Sequence, residues 1–248
     1  MSASQASSAT FVPRAAYLRS ETVFFPCMAL LIIAAVVLGF ARTFFLAPIY
    51  HYHLPNLLVA IHGVVFASWI ALFAIQTSLV AVGRVDLHRK LGLLGALLVG
   101  LVFVMAYAVM LEGLRGGFAP TEQDEAQILA LDVVGINVSF VMFVAGLLLR
   151  GNPAAHKRLM LYGTIGMVGP AMARWPFAFI ATRPPLVGIV MQLFGLAVIA
   201  FDLLTTRRVH RATWVGTATL FLVPLVAIPL SATSFWHHLL SSLRHLLD

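Results

Sequence analysis

His88-Arg89-Lys90-Leu91-Gly92-Leu93-Leu94-Gly95 returns, 68 residues on from His88 to His156, as His156-Lys157-Arg158-Leu159-Met160-Leu161-Tyr162-Gly163. The shared skeleton is His, two cations, Leu, any residue, Leu, any residue, Gly. A fainter third copy, His210-Arg211 with Gly216, precedes the last apolar run. Each phrase joins a short basic loop to a long apolar stretch. That is the pattern of a helix starting back into a membrane from the same side each time.

Composition agrees. Of 248 residues 61% are hydrophobic and 10% charged, whereas soluble domains carry roughly a quarter charged residues. A membrane span needs about 20 apolar residues. Seven runs qualify: 23–41, 55–80, 89–111, 127–149, 158–180, 185–204 and 213–232. They are continuous rather than alternating, which argues against a β-barrel. The expected fold is an all-α polytopic membrane bundle of about seven transmembrane helices over 23–232. Residues 1–22 read as a flexible cytoplasmic tail, with the first run as an uncleaved signal-anchor. Runs two with three and four with five form two repeated hairpins, about 55–111 and 127–180. The single Cys27 excludes an intramolecular disulfide.

The net charge of +7 is not read as a nucleic-acid footprint, because its placement is that of membrane loops. Arg14, Arg19, Arg84, Arg89, Lys90, Arg150, Lys157, Arg158, Arg207, Arg208 and Arg211 all fall on one side of a seven-span chain. Short cytoplasmic loops collect Lys and Arg, so that side is inside, with the N-terminus inside and the C-terminus outside. In the tail 233–248, Phe235, Leu239, Leu243 and Leu246 recur at helical spacing. They predict a short amphipathic helix on the outer interface.

Polar side chains inside a bilayer are costly and mark function or helix pairing. At about 1.5 Å of rise per residue, His62, Asp132, Asn137, Arg174 and Gln192 share one outer-leaflet layer, which Tyr107 and Glu112 can join. Two accounts of that layer stay open. In one, Asp132 and Arg174 form an ion pair while the others cross-link helices. In the other, the layer lines an outward-facing pocket for a small solute or lipid. A guanidinium keeps its proton and needs an acceptor in either case.

An inner layer holds His88 and His156 in the first turns of their helices, with Gln76 and Asp202 at similar depth. Asp202 most simply neutralises a loop cation such as Arg207 or Arg158. Imidazole is a good axial ligand for haem iron, so His88 and His156 are candidate ligands for haem b or a metal ion. Arg89, Lys90, Lys157 and Arg158 stand ready for the propionates. Positive-inside loops supply such cations in any event. In the outer loop, His51-Tyr52-His53 places two rings on one side when extended, a weak copper or zinc pattern.

His62, Gln76, Gly83-Arg84, His88-Arg89, Leu91-Gly92, His156-Lys157-Arg158, Met160 and Arg174 together resemble uncharacterised bacterial multi-pass membrane families filed as domains of unknown function. One similar family pairs such histidine phrases and is linked to cytochrome oxidase maturation. The resemblance covers residues 55–180. It implies a bacterial inner-membrane location, haem or copper chemistry, and respiratory or oxidase-assembly partners. Three functions are carried forward: haem or metal binding for electron transfer or cofactor handling, small-solute or lipid binding at the outer layer, and a structural assembly subunit without chemistry. No nucleophile–base–orienter set and no phosphate-cradling glycine loop is apparent.

Overall fold

The computed structural model describes residues 14–54, 56–116, 122–181 and 185–247. Among the described residues ten helices follow in chain order: α1 Arg14–Phe40, α2 Leu57–Ala81, α3 Val85–Gly116, α4 Glu122–Leu148, α5 Pro153–Gly166, α6 Gly169–Met172, α7 Ala178–Ala181, α8 Pro185–Thr206, α9 Arg211–Ser231 and α10 Ser234–Leu247. A π-helical turn, Ala41–Phe45, continues α1. Among the described residues there is no strand. The expected tail covers two regions. Residues 1–13 lie outside the described residues, while 14–22 are helical and belong to α1.

Among the described residues six helices are long and apolar enough to cross a membrane: Arg19–Phe45, Leu57–Ala81, Val85–Gly116, Asp124–Leu148, Leu186–Thr206 and Arg211–Ser231. Large apolar side chains such as Leu30, Leu97, Leu204, Trp214 and Leu225 are exposed along them. Lipid, not water, is the solvent such a surface fits. The expected span 158–180 is not one continuous helix. It is broken into α5, α6 and α7. At the break, the N–H groups of Met167 and Val168 bond to Thr164 O and Ile165 O, three residues back. Pro170, opening α6, has no N–H with which to continue the ladder. Even so, the broken segment runs the length of the bundle. Arg158 near its start meets Asp202 near the end of α8, and Ala171 in α6 abuts Gly39 near the end of α1.

Helix starts are set locally. Asn56 and Asn152 cap α2 and α5 by accepting from Val59 N (3.0 Å) and Ala155 N (3.2 Å). Such caps satisfy otherwise orphaned N–H groups. Gly83, at φ +78°, turns the chain between α2 and α3, in a conformation that costs glycine little. In both hairpins the phrase's closing glycine faces the preceding helix. Gly163 of α5 lies against the Phe143 ring of α4, and Gly95 of α3 against Leu72 of α2. Small residues let membrane helices approach closely. The hairpins touch through Trp69 and Phe143, whose ring centroids are 4.8 Å apart.

A buried polar cluster fastens α5, α8 and α9. Arg158 and Asp202 are 1% and 0% exposed. The Arg158 guanidinium pairs with Asp202, and its Nη1 donates to Ala154 O at 2.9 Å. Thr213 Oγ1 accepts from Arg158 Nε at 3.1 Å and donates to Asp202 Oδ2 at 2.6 Å. The backbone N–H of His210 donates to the same Oδ2 at 3.0 Å. One turn along α5, the Tyr162 hydroxyl lies 2.7 Å from Thr217 Oγ1 and donates to Gly195 O at 3.2 Å. Its ring packs on Gly216, where a Cβ would collide with it.

At the other end of the bundle, α10 seats Trp236 against α4, its Nε1 donating to Ala126 O at 2.9 Å. Arg244 pairs with Glu125 at 2.6 Å and donates from Nε to Leu114 O at 3.2 Å. The amphipathic tail is thus a docked helix.

Two outcomes are expected. Asp202→Ala strands a buried cation and costs about 3–5 kcal/mol, most of it recovered when Arg158→Met and Asp202→Leu are combined. Thermal unfolding in detergent reads both. His210 caps α9 by accepting from Ala212 N at 3.0 Å through Nδ1, so it must be neutral there. Burial first, then the Arg158 charge, hold its pKa below the usual 6.5. The unfolded state therefore takes up the proton more readily. This contribution to stability is complete above about pH 6.5 and is lost as pH falls through the folded pKa. His210→Asn keeps a cap and flattens that part of the melting-temperature profile.

Candidate functional site

The two phrase histidines face each other. Their ring centroids lie 6.1 Å apart with the planes at 77°. Each occupies the same place in its helix, with the N–H of His88 bonding back to Arg84 O and that of His156 to Asn152 O. Both rings are half-buried. When two imidazoles share one ion, metal–nitrogen bonds of about 2 Å on each side put the ring centroids roughly 6 Å apart. His156 Nδ1 lies 2.8 Å from Gly146 O. A carbonyl only accepts, so Nδ1 carries the proton and Nε2 is left free. His88 Nδ1 and Gln76 Oε1 are buried without hydrogen-bond partners, and the Gln76 backbone lies beside the His88 ring.

The cations of the two phrases have diverged. Arg89 and Lys90 are exposed. Lys157 pairs with Glu21 and lies over the Phe25 ring, 5.2 Å from its centroid. Arg158 is committed to Asp202. Glu21 lies within 1–22, the stretch expected as a flexible tail, but it belongs to α1, where its i, i+4 spacing with Phe25 lets both meet Lys157. Nothing in the sequence pointed to the Gly146 carbonyl.

The outer layer is only partly assembled. His62 Nδ1 lies 3.4 Å from Met105 O, and its ring rests on Phe66 at 4.2 Å. Asn137 donates to the Tyr107 hydroxyl and to Val133 O. Asn56 donates to Glu112 at 2.7 Å. The Asp132–Arg174 ion pair of one of the two accounts does not form. Arg174 Nη1 turns back to Pro170 O at 2.8 Å, and the guanidinium lies 5.3 Å from the Phe40 ring centroid. Its field still reaches Asp132 and His62. The break after α5 explains the difference, since it bends the chain before Arg174. Gln192 Oε1 is buried without a partner.

His51 and His53 are exposed in a turn where His51 has φ 52° and Tyr52 N–H bonds to Ala47 O at 2.9 Å. Among the described residues no three His, Cys, Asp or Glu side chains converge as a metal-ion cluster. No family model, curated protein or solved structure matches the chain.

Selective ¹⁵N-histidine NMR is expected to find His156 protonated at Nδ1. Replacing Asn152, which caps α5, by Ala should loosen that hydrogen bond and broaden the signal.

Proposed function

We propose that this chain is a seven-crossing membrane protein, N-terminus inside and C-terminus outside, that binds haem b between His88 and His156 for electron transfer or haem handling. The observation that carries it is the pair of imidazoles at 6.1 Å, from helices that begin on the same basic side. A bare zinc ion asks for three or four protein ligands. Haem would bring most of its iron's nitrogen ligands itself and would ask the protein for no more than two, which His88 and His156 could supply. Two histidines without a third ligating side chain among the described residues fit the second requirement better. The half-buried position at the helix starts would leave the propionates near the interface, where Arg89 and Lys90 are exposed. Lys157 and Arg158 have partners of their own in Glu21 and Asp202.

When bound, the haem would supply a one-electron centre. The protein's part is to hold two imidazoles opposed, with His156 fixed in one tautomer by Gly146. The basic side of the chain supports the topology through the positive-inside rule. The resemblance of residues 55–180 to bacterial families linked to oxidase maturation supports an inner-membrane setting with respiratory partners.

A second reading rests on the outer layer. There Asp132 and Arg174 sit within each other's field without pairing, and Gln192 has a free buried oxygen. These groups would suit a small solute with both a donor and an acceptor.

Protein purified from cells supplied with haem precursor should show a Soret band and close to one iron per chain. His88→Ala or His156→Ala should change or remove that band. A colourless, iron-free wild type would turn the search to Asp132, Arg174 and His62. A bound metal without a Soret band would replace haem by a simple ion.

A further inference from the structure

The two histidines have the same place in the repeat but not the same support. At the end of α4, the N–H of Arg150 bonds to Leu147 O at 3.3 Å instead of continuing the helical ladder to Gly146. The Gly146 carbonyl is one of the orphans every helix end leaves, and it takes the proton of His156 Nδ1. The corresponding residue of the first hairpin, 68 positions earlier, is Ser78. Its carbonyl is already taken by the N–H of Val82, at 3.0 Å. His88 therefore lacks the helix-end carbonyl that its counterpart has; the Gln76 backbone lies beside its ring, but its Nδ1 is buried without a hydrogen bond.

The surroundings differ in the same sense. His156 lies between Ala155 and Arg158, both buried, on a helix enclosed by α4, α8 and α9. Leu159 and Met160 of the same helix press on Gly146 itself, leaving no room for a Cβ there. The start of α3 is open. Arg89, Lys90, Leu93 and Leu94 are exposed, and the turn before it hinges on Gly83.

We infer that the pair is built unequally, with His156 as the fixed ligand and His88 as the exchangeable one, so that the site accepts a small exogenous ligand such as carbon monoxide or imidazole in place of His88. The inference rests on the haem reading above. An imidazole anchored through its second nitrogen is oriented in advance and is the more basic donor. Turning His156 away would break its bond to Gly146 inside a closed helix crossing. Turning His88 away gives up only its contact with the Gln76 backbone, and it brings a buried Nδ1 that has no hydrogen bond toward the basic aqueous surface, which relieves a desolvation cost. The exchange is a substitution alone: the His88 nitrogen leaves, the incoming ligand's lone pair takes its place, and no electron is transferred.

The test uses the full chain in detergent, loaded with haem, as wild type, His88→Ala and His156→Ala. Elution as a monodisperse species is checked for each. Wild type is expected to give a six-coordinate spectrum and, when reduced, to bind carbon monoxide. His88→Ala should keep haem occupancy within about twofold of wild type, turn five-coordinate, and regain the six-coordinate spectrum with added imidazole. His156→Ala should lower haem affinity by at least the roughly tenfold typical of losing an outer-shell partner. If the alanine variants aggregate, His88→Gln and His156→Gln keep most of the volume and carry the same comparison. Equal losses in the two variants, or the larger loss in the His88 variant, with wild type loaded, overturn the inequality and leave haem binding standing. A wild type that takes up no haem removes both.

Discussion

The buried Arg158–Asp202 pair is the constraint from which the rest of the bundle takes its position. Two charges removed from water are tolerated only when their remaining donors and acceptors are met. Here they are met by Thr213, the Ala154 carbonyl and the His210 N–H. The pair and its partners join three helices, α5, α8 and α9, that hydrophobic burial alone would let slide. Apolar side chains pack on lipid tails almost as well as on one another, so helices in a membrane gain little registry from burial. A polar cluster supplies the registry instead.

The registry matters most for α5. At 14 residues it is the shortest of the principal bundle helices, and it is followed by a break. Fixed at Arg158 to α8 and at Tyr162 to Thr217 and Gly195, it holds His156 against the end of α4. There the helix ladder has released a carbonyl for that histidine. Among the described residues no buried ion pair holds the start of α3, which carries His88; its polar contacts with other helices, at Met105, Tyr107, Glu112 and Leu114, lie farther along it. The same eight-residue phrase is thus solvated at Arg89 and Lys90 and locked at Lys157 and Arg158. Position in the bundle, not sequence, made the difference.

The broken fifth segment follows from backbone chemistry. Pro170 and Pro176 each remove a donor, and Gly166 meets Ser139 at a distance that a Cβ would close. Hydropathy registers apolarity and is nearly blind to such breaks, which is why 158–180 read as one helix. The break also moved Arg174 onto Phe40 and the Pro170 carbonyl, away from Asp132. Depth counted at 1.5 Å per residue holds along an unbroken helix and fails past a turn. The outer layer inferred that way came together only in part.

The sequence by itself determined an all-helical chain with membrane-length apolar helices, the approximate positions of six of them, and the matching places of His88 and His156 at the starts of their helices. These depend on composition and on the local rise of a helix, which every stretch of chain carries within itself. Only the tertiary structure decided that the two imidazoles face each other, that Asp202 takes Arg158 rather than Arg207, and that Glu21 receives Lys157. It also decided that His156 Nδ1 has the Gly146 carbonyl at 2.8 Å to hold it, whereas His88 Nδ1 is buried without a hydrogen bond. Those outcomes depend on which faces of separate helices meet, and on which terminal carbonyls their ladders leave unused. Neither is written in the spacing of any one segment.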